Sequence, residues 1–168
     1  VFVPPPHHEV DNLMGDLENF LHNERIDVPD LIRIAVAHYQ FETIHPFLDG
    51  NGRLGRLMIT LYLVGKYLLA KPTLYLSDYF EKHRNVYYDK LSLTRSSNDL
   101  GQWIKFFLVA VVETSKKGIE RFEQILRLRE DIEGKSLLRL GKKLPKAKEL
   151  MNALYAKPSL SAQDVGVL

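Results

Sequence analysis

The stretch His45-Pro46-Phe47-Leu48-Asp49-Gly50-Asn51-Gly52-Arg53-Leu54-Gly55-Arg56 separates two segments whose apolar residues recur at helical spacing. Its glycines at positions 50 and 52 have no Cβ, so the backbone can approach a ligand and turn its N–H groups inward. A helix that begins directly afterwards adds free N–H groups and the positive end of its dipole. This pattern predicts an anion site, and phosphates are the anions that it suits best.

The polar residues of this stretch have the chemistry that a phosphate site needs. Arg53 and Arg56 are three residues apart, so on a helix they share a face and can hold phosphate oxygens with their planar guanidinium groups. Asp49 offers a hard oxygen ligand for Mg²⁺, and an imidazole such as that of His45 can take a proton from an attacking hydroxyl. Because the stretch has no Gly-Lys-Ser/Thr sequence and follows no strand pattern, we exclude a P-loop.

Each of these residues also has a simpler explanation. Asp-Gly-Asn-Gly is ordinary turn chemistry, two arginines three apart are often a solvated helix face, and a single histidine is more often structural than catalytic. The fixed order of all of them between two apolar helices favours the functional interpretation.

The motif His-Pro-Phe-x-Asp-Gly-Asn-Gly-Arg-x-x-Arg resembles the complete active-site motif of the Fic family, adenylyltransferases that attach AMP to proteins. Every position of that motif is filled, and the resemblance extends from residues 2–6 to about residue 114. It implies ATP and Mg²⁺, with His45 as general base and Asp49 as metal ligand. It further implies that the phosphates are held by the remaining motif residues, which are Gly50, Asn51, Gly52, Arg53 and Arg56.

Two further features gain meaning only from the resemblance. In Fic proteins a tyrosine that corresponds to Tyr88 borders the adenine, although packing in the core explains a tyrosine here equally well. The segment Val1, Phe2 and Val3 matches the end of a β-hairpin flap that holds the target peptide by strand addition. A frayed terminus before a helix is nearly as good an explanation for these three residues.

The composition limits the function classes. The chain has 168 residues, 45% of them hydrophobic, which fits one domain or one domain with a small appendage. A formal charge of +2 does not argue for nucleic acid or a membrane surface, and the longest apolar run is too short to span a bilayer. With no cysteine and no signal-peptide pattern, we expect a cytoplasmic protein.

Hydrophobic periodicity predicts an all-α, Fic-type helical bundle with the small flap at its N-terminal edge. The helix from about Arg53 to Leu69 is apolar nearly all round, so we expect it at the centre of the bundle. His38 lies in an apolar pattern and is predicted to be packed or capping, with metal ligation a minor alternative. The other predicted helices cover residues 8–23, 29–45, 77–93 and about 100–132.

The domain boundaries are predicted from changes in composition. Residues 1–134 form the core, residues 135–144 a basic linker, and residues 145–168 resemble the beginning of a winged-helix module. Because residues 145–168 contain no recognition helix, we expect no nucleic acid binding from them. The mixed charges of residues 120–131 indicate a solvated helix face or a homodimer surface.

Two kinds of function remain open at this stage. The first is an adenylyltransferase that acts on a Ser, Thr or Tyr hydroxyl of a target protein or of the chain itself. The second is a nucleotide-binding regulatory protein of the same fold with little turnover. A relative that transfers another phosphate-containing group is a variant of the first, although kinases of the Doc type carry Ala-Asn-Lys in place of Gly50-Asn51-Gly52.

The resemblance also bears on regulation. In many Fic proteins the glutamate of a Ser/Thr-x-x-x-Glu-Gly/Asn helix pairs with the second arginine of the motif, which is Arg56 here. The sequence contains no such pattern, since Ser77 and Glu81 have the spacing but Lys82 follows. We therefore expect a carboxylate partner for Arg56 from sequence upstream of Val1 or from another chain.

Overall fold

The computed structural model describes residues 2–166. The chain forms two compact units, Val1–Gly118 and Ile119–Leu168, which are described separately. The α-helices are α1 (His7–His22), α2 (Asp30–Ile44), α3 (Asn51–Gly65), α4 (Leu76–Lys82), α5 (Arg84–Ser97), α6 (Leu100–Asp131), α7 (Leu144–Ala156) and α8 (Ala162–Gly166). Residues 2–166 contain no strand, so the predicted helical fold is confirmed.

The predicted β-hairpin flap is wrong. Phe2 and Val3 have no regular secondary structure, while Val1 lies outside the described residues. A hairpin needs a second strand to satisfy its backbone groups, and residues 2–166 supply none. The Phe2 ring instead lies against the guanidinium of Arg95, with 3.7 Å between the Cζ atom and the ring centroid.

Helix α2, and not α3, is the most buried helix of the first unit. Eight of its residues are buried: Arg33, Ile34, Ala35, Ala37, His38, Phe41, Glu42 and Ile44. The small side chain of Ala35 lets Trp103 of α6 come close enough for its Nε1 to donate a 2.7 Å hydrogen bond to the Ala35 carbonyl. The core therefore forms around α2.

The prediction that α3 is the central helix is wrong. Its buried residues are four apart and form a single stripe, made of Asn51, Gly55, Ile59 and Leu63. Leu57 and Leu61 are apolar but remain 51% and 62% exposed. Helix α3 packs on α2 through one face only, so its other faces remain exposed although they are apolar.

A break at His83 divides what the sequence predicted as one helix. The backbone of His83 leaves the helical region at φ −109° and ψ 32°, and its ring lies 4.3 Å from that of Tyr79. Neither glycine nor proline marks this position, so the usual breaking residues give no sequence signal. The break turns α5 into a separate helix that carries Tyr87, Tyr88 and Arg95.

The second unit is helical through most of the segment predicted as a linker. A π-helical turn covers Ile132–Ser136, a 3₁₀ segment covers Leu137–Lys143, and α7 and α8 follow. Ser161 caps α8, since its Oγ accepts a hydrogen bond from the N–H of Asp164 at 3.2 Å. The domain boundaries themselves stay a prediction. None of the helices in residues 2–166 is long and apolar enough to cross a membrane.

Helices α2 and α3 come closest at Gly55. A Cβ atom added there would lie 2.8 Å from Glu42 Oε1 and 3.1 Å from two ring atoms of His38. Both neighbours are buried side chains of α2, so neither can swing into solvent. The contact therefore requires a residue without a side chain.

Replacing Gly55 by alanine should separate the two helices. We expect Gly55→Ala to lower the free energy of unfolding by about 1–2 kcal/mol, because crowding outweighs the better helix propensity of alanine. Gly15→Ala is the matched control, since a Cβ at this helical position meets nothing within 4 Å. Gly15→Ala should raise the free energy of unfolding by about 0.4–1 kcal/mol. Urea denaturation measures both, and equal effects would contradict the account of Gly55.

His38 is fully buried between aromatic rings. Its ring stacks on Phe80 and Trp103 at centroid distances of 5.9 and 5.8 Å, and its Nε2 lies 3.0 Å from the hydroxyl oxygen of Tyr87. Burial lowers the pKa of His38 to about 4, so the imidazole is neutral at pH 7. His38 is a packed histidine, as the sequence predicted.

This pKa predicts a loss of stability in acid. Between pH 6.5 and about 4 the unfolded chain binds a proton at His38 that the folded chain does not. The free energy of unfolding therefore decreases by about 3 kcal/mol as the pH is lowered through this range. The raised pKa of Glu42 acts in the opposite direction above pH 4.5. The measurement is therefore a comparison with His38→Gln, which keeps Glu42. In urea unfolding, the free energy of unfolding of the wild type should decrease by about 3 kcal/mol more than that of the variant when the pH is lowered from 7 to 4. If the two proteins showed the same dependence on pH, His38 would not be the group responsible.

Candidate functional site

The backbone at the end of α2 holds His45 in a left-handed conformation. Its φ is 52° and ψ is 56°, and its N–H donates a 3.0 Å hydrogen bond to the carbonyl of Phe41. This conformation costs a residue with a side chain about 1–2 kcal/mol. Pro46 follows, and because it has no N–H it cannot continue the helical hydrogen bonds. His45 is therefore fixed at the helix end, where its side chain is exposed.

Asn51 braces the loop that joins α2 to α3. Its Oδ1 accepts a 3.0 Å hydrogen bond from the N–H of Phe47, and its Nδ2 donates a 2.6 Å hydrogen bond to the Phe47 carbonyl. The residue is only 2% exposed. The resemblance implies that Asn51 helps to hold the phosphates, and in the structure its side-chain amide is bonded to the loop backbone.

Gly50 and Gly52 have no side chains that could cover the backbone of the loop. Gly50 has φ 86°, a conformation that side chains disfavour, and its carbonyl accepts the N–H of Leu54 at 3.0 Å. A Cβ on Gly52 would lie 3.0 Å from Arg56 Nη1, so the guanidinium lies directly over this residue. The free N–H groups at the start of α3 and the Arg56 guanidinium therefore occupy the same corner of the molecule.

Asp49 and Arg53 form an exposed ion pair. Their Oδ2 and Nη2 atoms are 3.0 Å apart, and the two side chains are 92% and 74% exposed. Such a pair contributes little to stability because water screens it. Phosphates or a metal ion can therefore separate the two side chains at small cost.

The two arginines of the motif line one cavity of about 420 Å³. Arg56 is held there by a 3.1 Å hydrogen bond from its Nε to Ser77 Oγ. Thr60 adds a hydroxyl to the lining, while Leu57 and Tyr75 add apolar surface. The predicted common face of Arg53 and Arg56 therefore opens onto space that a ligand can fill.

The carboxylate of Asp49 suits a metal ion that is shared with a ligand. Residues 2–166 contain no group of three or more His, Cys, Asp or Glu side chains that could hold a metal ion. Mg²⁺ commonly takes one or two protein carboxylates and completes its octahedron with water and phosphate oxygens. The exposed Asp49 fits that limited contribution.

Tyr88 lies on the outer side of α5. It is 52% exposed, its ring meets the Tyr87 ring edge-on at 5.3 Å, and the guanidinium of Arg84 lies 5.8 Å from its ring centroid. Tyr87 is the buried member of the pair, so packing in the core accounts for Tyr87 and not for Tyr88. Within residues 2–166, no hydrogen bond or ring contact joins Tyr88 to the motif.

Sequence reasoning missed Glu42 and Arg95, which lie behind the motif. Glu42 is 7% exposed, and burial raises the pKa of its carboxyl group. Arg95 donates from Nη2 to the Glu42 carbonyl at 3.2 Å and from Nε to Thr43 Oγ1 at 3.3 Å. For Glu42 the sequence offered one signal, its position four residues after His38, which puts the two on one face of α2. For Arg95 it offered none.

Comparison with known proteins finds one family. The sequence model of the Fic/DOC family matches residues 1–63. A "Probable protein adenylyltransferase" of Aquifex aeolicus is 46% identical over 69 residues, which cover 40% of this chain and 21% of that protein. The "Protein adenylyltransferase Fic" of Culex quinquefasciatus is 33% identical over 105 residues, which cover 62% of this chain and 20% of that protein.

A solved structure is similar over a larger part of the chain. The crystal structure of a Fic family protein from Desulfovibrio desulfuricans matches with a TM-score of 0.65 and 33% identity, covering 70% of this chain and 35% of that one. The chain spans about a fifth of the length of the curated relatives named above. The likeness therefore concerns the helices around the motif and not those whole proteins.

Proposed function

We propose, from the match of residues 1–63 to the Fic/DOC family model, that this chain transfers AMP from ATP to a hydroxyl side chain of a protein. The observation that carries the proposal is the short braced loop at the start of α3. It joins an exposed imidazole to a bare glycine backbone, and two guanidinium groups follow on the helix. Phosphoryl transfer depends mainly on positioning and on stabilising charge, and these groups suit both tasks.

In the proposed reaction His45 acts as the general base. The acceptor hydroxyl oxygen forms a bond to the α-phosphorus of ATP, its proton passes to the His45 imidazole, and the bond from that phosphorus to the bridging oxygen breaks. Pyrophosphate leaves with the electron pair of the broken bond. The backbone N–H groups around Gly50 and Gly52 stabilise the charge on the transferred group.

Arg53 and Arg56 bind the β- and γ-phosphates in this scheme. Each guanidinium can make two parallel hydrogen bonds to a phosphate, and the cavity that both line gives the pyrophosphate room. Asn51 acts through the loop that it braces, and Tyr88 borders the adenine with its exposed ring. When bound, Mg²⁺ neutralises phosphate charge, and Asp49 is the residue that would hold it.

The partners follow from this chemistry. ATP is the donor, and the acceptor is a target protein with an exposed Ser, Thr or Tyr, or the chain itself. Homodimer formation and a winged-helix role for residues 145–168 stay predictions. If ATP binds without transfer to any protein, the nucleotide-binding regulatory function is the correct one.

Removing the general base should separate catalysis from binding. We expect His45→Ala to lower AMP transfer at least about 100-fold, because it removes the group that takes the acceptor proton. The ATP dissociation constant should stay unchanged, since the imidazole does not contact the phosphates in this scheme. Labelling with α-³²P-ATP and calorimetric titration measure the two quantities. His22→Ala, at an exposed histidine of α1, is the control, and normal labelling by His45→Ala would exclude this role.

Removing the metal ligand should affect binding in a different way. We expect Asp49→Ala to abolish the gain in ATP affinity that Mg²⁺ gives the wild type, a change of about tenfold. Without Mg²⁺ the variant should bind ATP at least as well as the wild type, because Arg53 loses the carboxylate that competes with phosphate. Calorimetry with and without Mg²⁺ tests this against Asp11→Ala on α1. Equal Mg²⁺ dependence in wild type and Asp49→Ala would refute the assignment.

A further inference from the structure

The loop of the motif carries an exposed apolar side chain that neither the fold nor the proposed reaction uses. Leu48 has a relative exposure of 109%, the highest among the large hydrophobic residues of the described chain. The same loop carries His45 and Asp49. Phosphates and Mg²⁺ bind to polar atoms, so neither needs a leucine here. A side chain that is fully exposed also adds nothing to the hydrophobic core.

The backbone next to Leu48 is fixed, so the exposure of this residue is not that of a loose chain. Asn51 bonds to both backbone groups of Phe47, at 3.0 and 2.6 Å, and the Phe47 ring lies 6.5 Å from the ring of Phe41. Phe47 is nevertheless 48% exposed. The braced loop therefore presents two neighbouring apolar side chains to solvent, those of Phe47 and Leu48.

Leu48 lies close to the place where an acceptor hydroxyl has to arrive. Three peptide units link Leu48 to His45, so their Cα atoms are at most about 11 Å apart. An extended protein segment covers the same distance in about three residues. A single exposed leucine elsewhere on a protein needs no explanation. At this distance from the general base, however, the leucine can contact the segment that carries the acceptor.

We propose that Leu48 is a specificity-determining residue, which contacts an apolar side chain of the target protein within about three residues of the acceptor hydroxyl. Phe47 extends this apolar surface. The inference deepens the proposed function and rests on it, because it names a feature of the protein substrate. The adenine of ATP is the other group that could cover Leu48, and the experiments below separate the two.

The first test uses synthetic peptides of defined sequence. Each peptide has one Ser, Thr or Tyr in a background of Gly and Lys, with either Leu or Asp at one of the three positions before or after the acceptor. We expect the wild type to transfer AMP from α-³²P-ATP with a kcat/KM about tenfold higher for the best Leu peptide than for its Asp counterpart, because leucine side chains bury apolar area against each other.

Two variants of Leu48 should change this preference in different ways. Leu48→Ser should remove it, since the apolar contact is lost. Leu48→Lys should favour the Asp peptide over the Leu peptide, because opposite charges then meet. The same Leu preference in the wild type and both variants would overturn the proposal.

Leu61→Ser is the matched control, since Leu61 is an exposed leucine farther along α3. It should keep the wild-type preference, and a loss equal to that of Leu48→Ser would contradict the proposal. Calorimetry should give the same ATP dissociation constant for the wild type and both Ser variants. If Leu48→Ser alone bound ATP more weakly, Leu48 would contact the nucleotide and the proposal would be wrong. Urea unfolding should show that Leu48→Ser is folded, because an exposed side chain does not support the fold.

A binding measurement decides the proposal without any transfer. The ¹³C-methyl NMR signals of Leu48 are assigned as those that Leu48→Ser lacks, and α,β-methylene-ATP occupies the nucleotide site without donating AMP. We expect the Leu48 signals to shift when a Leu peptide is added and to stay in place with its Asp counterpart. No shift with any Leu peptide would overturn the proposal. If the shift occurs but the wild type transfers AMP to no peptide or protein, the proposed function fails and the contact with Leu48 stands.

Discussion

The close contact between α2 and α3 at Gly55 is the constraint on which the rest of the site depends. His45 directly follows the end of α2, and the loop with Gly50 leads into α3. Only a residue without a side chain at position 55 lets the two helices meet over Glu42 and His38. The helices are long enough to be rigid, so their contact fixes where the imidazole and the two arginines lie. A shift of about 1 Å in such groups is known to cost catalysis heavily. The packing of a buried glycine therefore determines the geometry of an exposed site.

The loop between these helices is short, and internal bonds fix its shape. Asn51 binds both backbone groups of Phe47, and the left-handed conformations of His45 and Gly50 reverse the chain within a few residues. Fixing this backbone in advance removes an entropy cost of about 1–2 kcal/mol per residue from ligand binding. The conformational cost of His45 is met by the surrounding helices, as is common at functional sites. Most of the preparation for binding anions thus belongs to the fold.

The sequence predicted most of this from local patterns and missed what depends on packing. The helices, their approximate ends and the motif followed from spacing, turn residues and a resemblance. The prediction that α3 lies at the centre of the bundle was wrong because α3 is apolar on faces that remain exposed, such as those of Leu57 and Leu61. The flap was wrong because a run of β-favouring residues forms a strand only with a partner strand. Glu42 and Arg95 were missed because polar residues on a helix resemble solvated ones until burial is known.

Some side chains of the site have to move before a ligand can bind, whereas the backbone of the loop does not. Asp49 and Arg53 are paired with each other in the described chain, although the proposed roles send one to a metal ion and the other to a phosphate. Both side chains are largely exposed, so separating them costs no more than about 1 kcal/mol. Arg56 is bound to a neutral hydroxyl of Ser77, which a phosphate oxygen replaces with a stronger, charge-assisted hydrogen bond. A ligand therefore has to rearrange two surface side chains and one hydrogen bond, while the backbone that defines the site stays as it is.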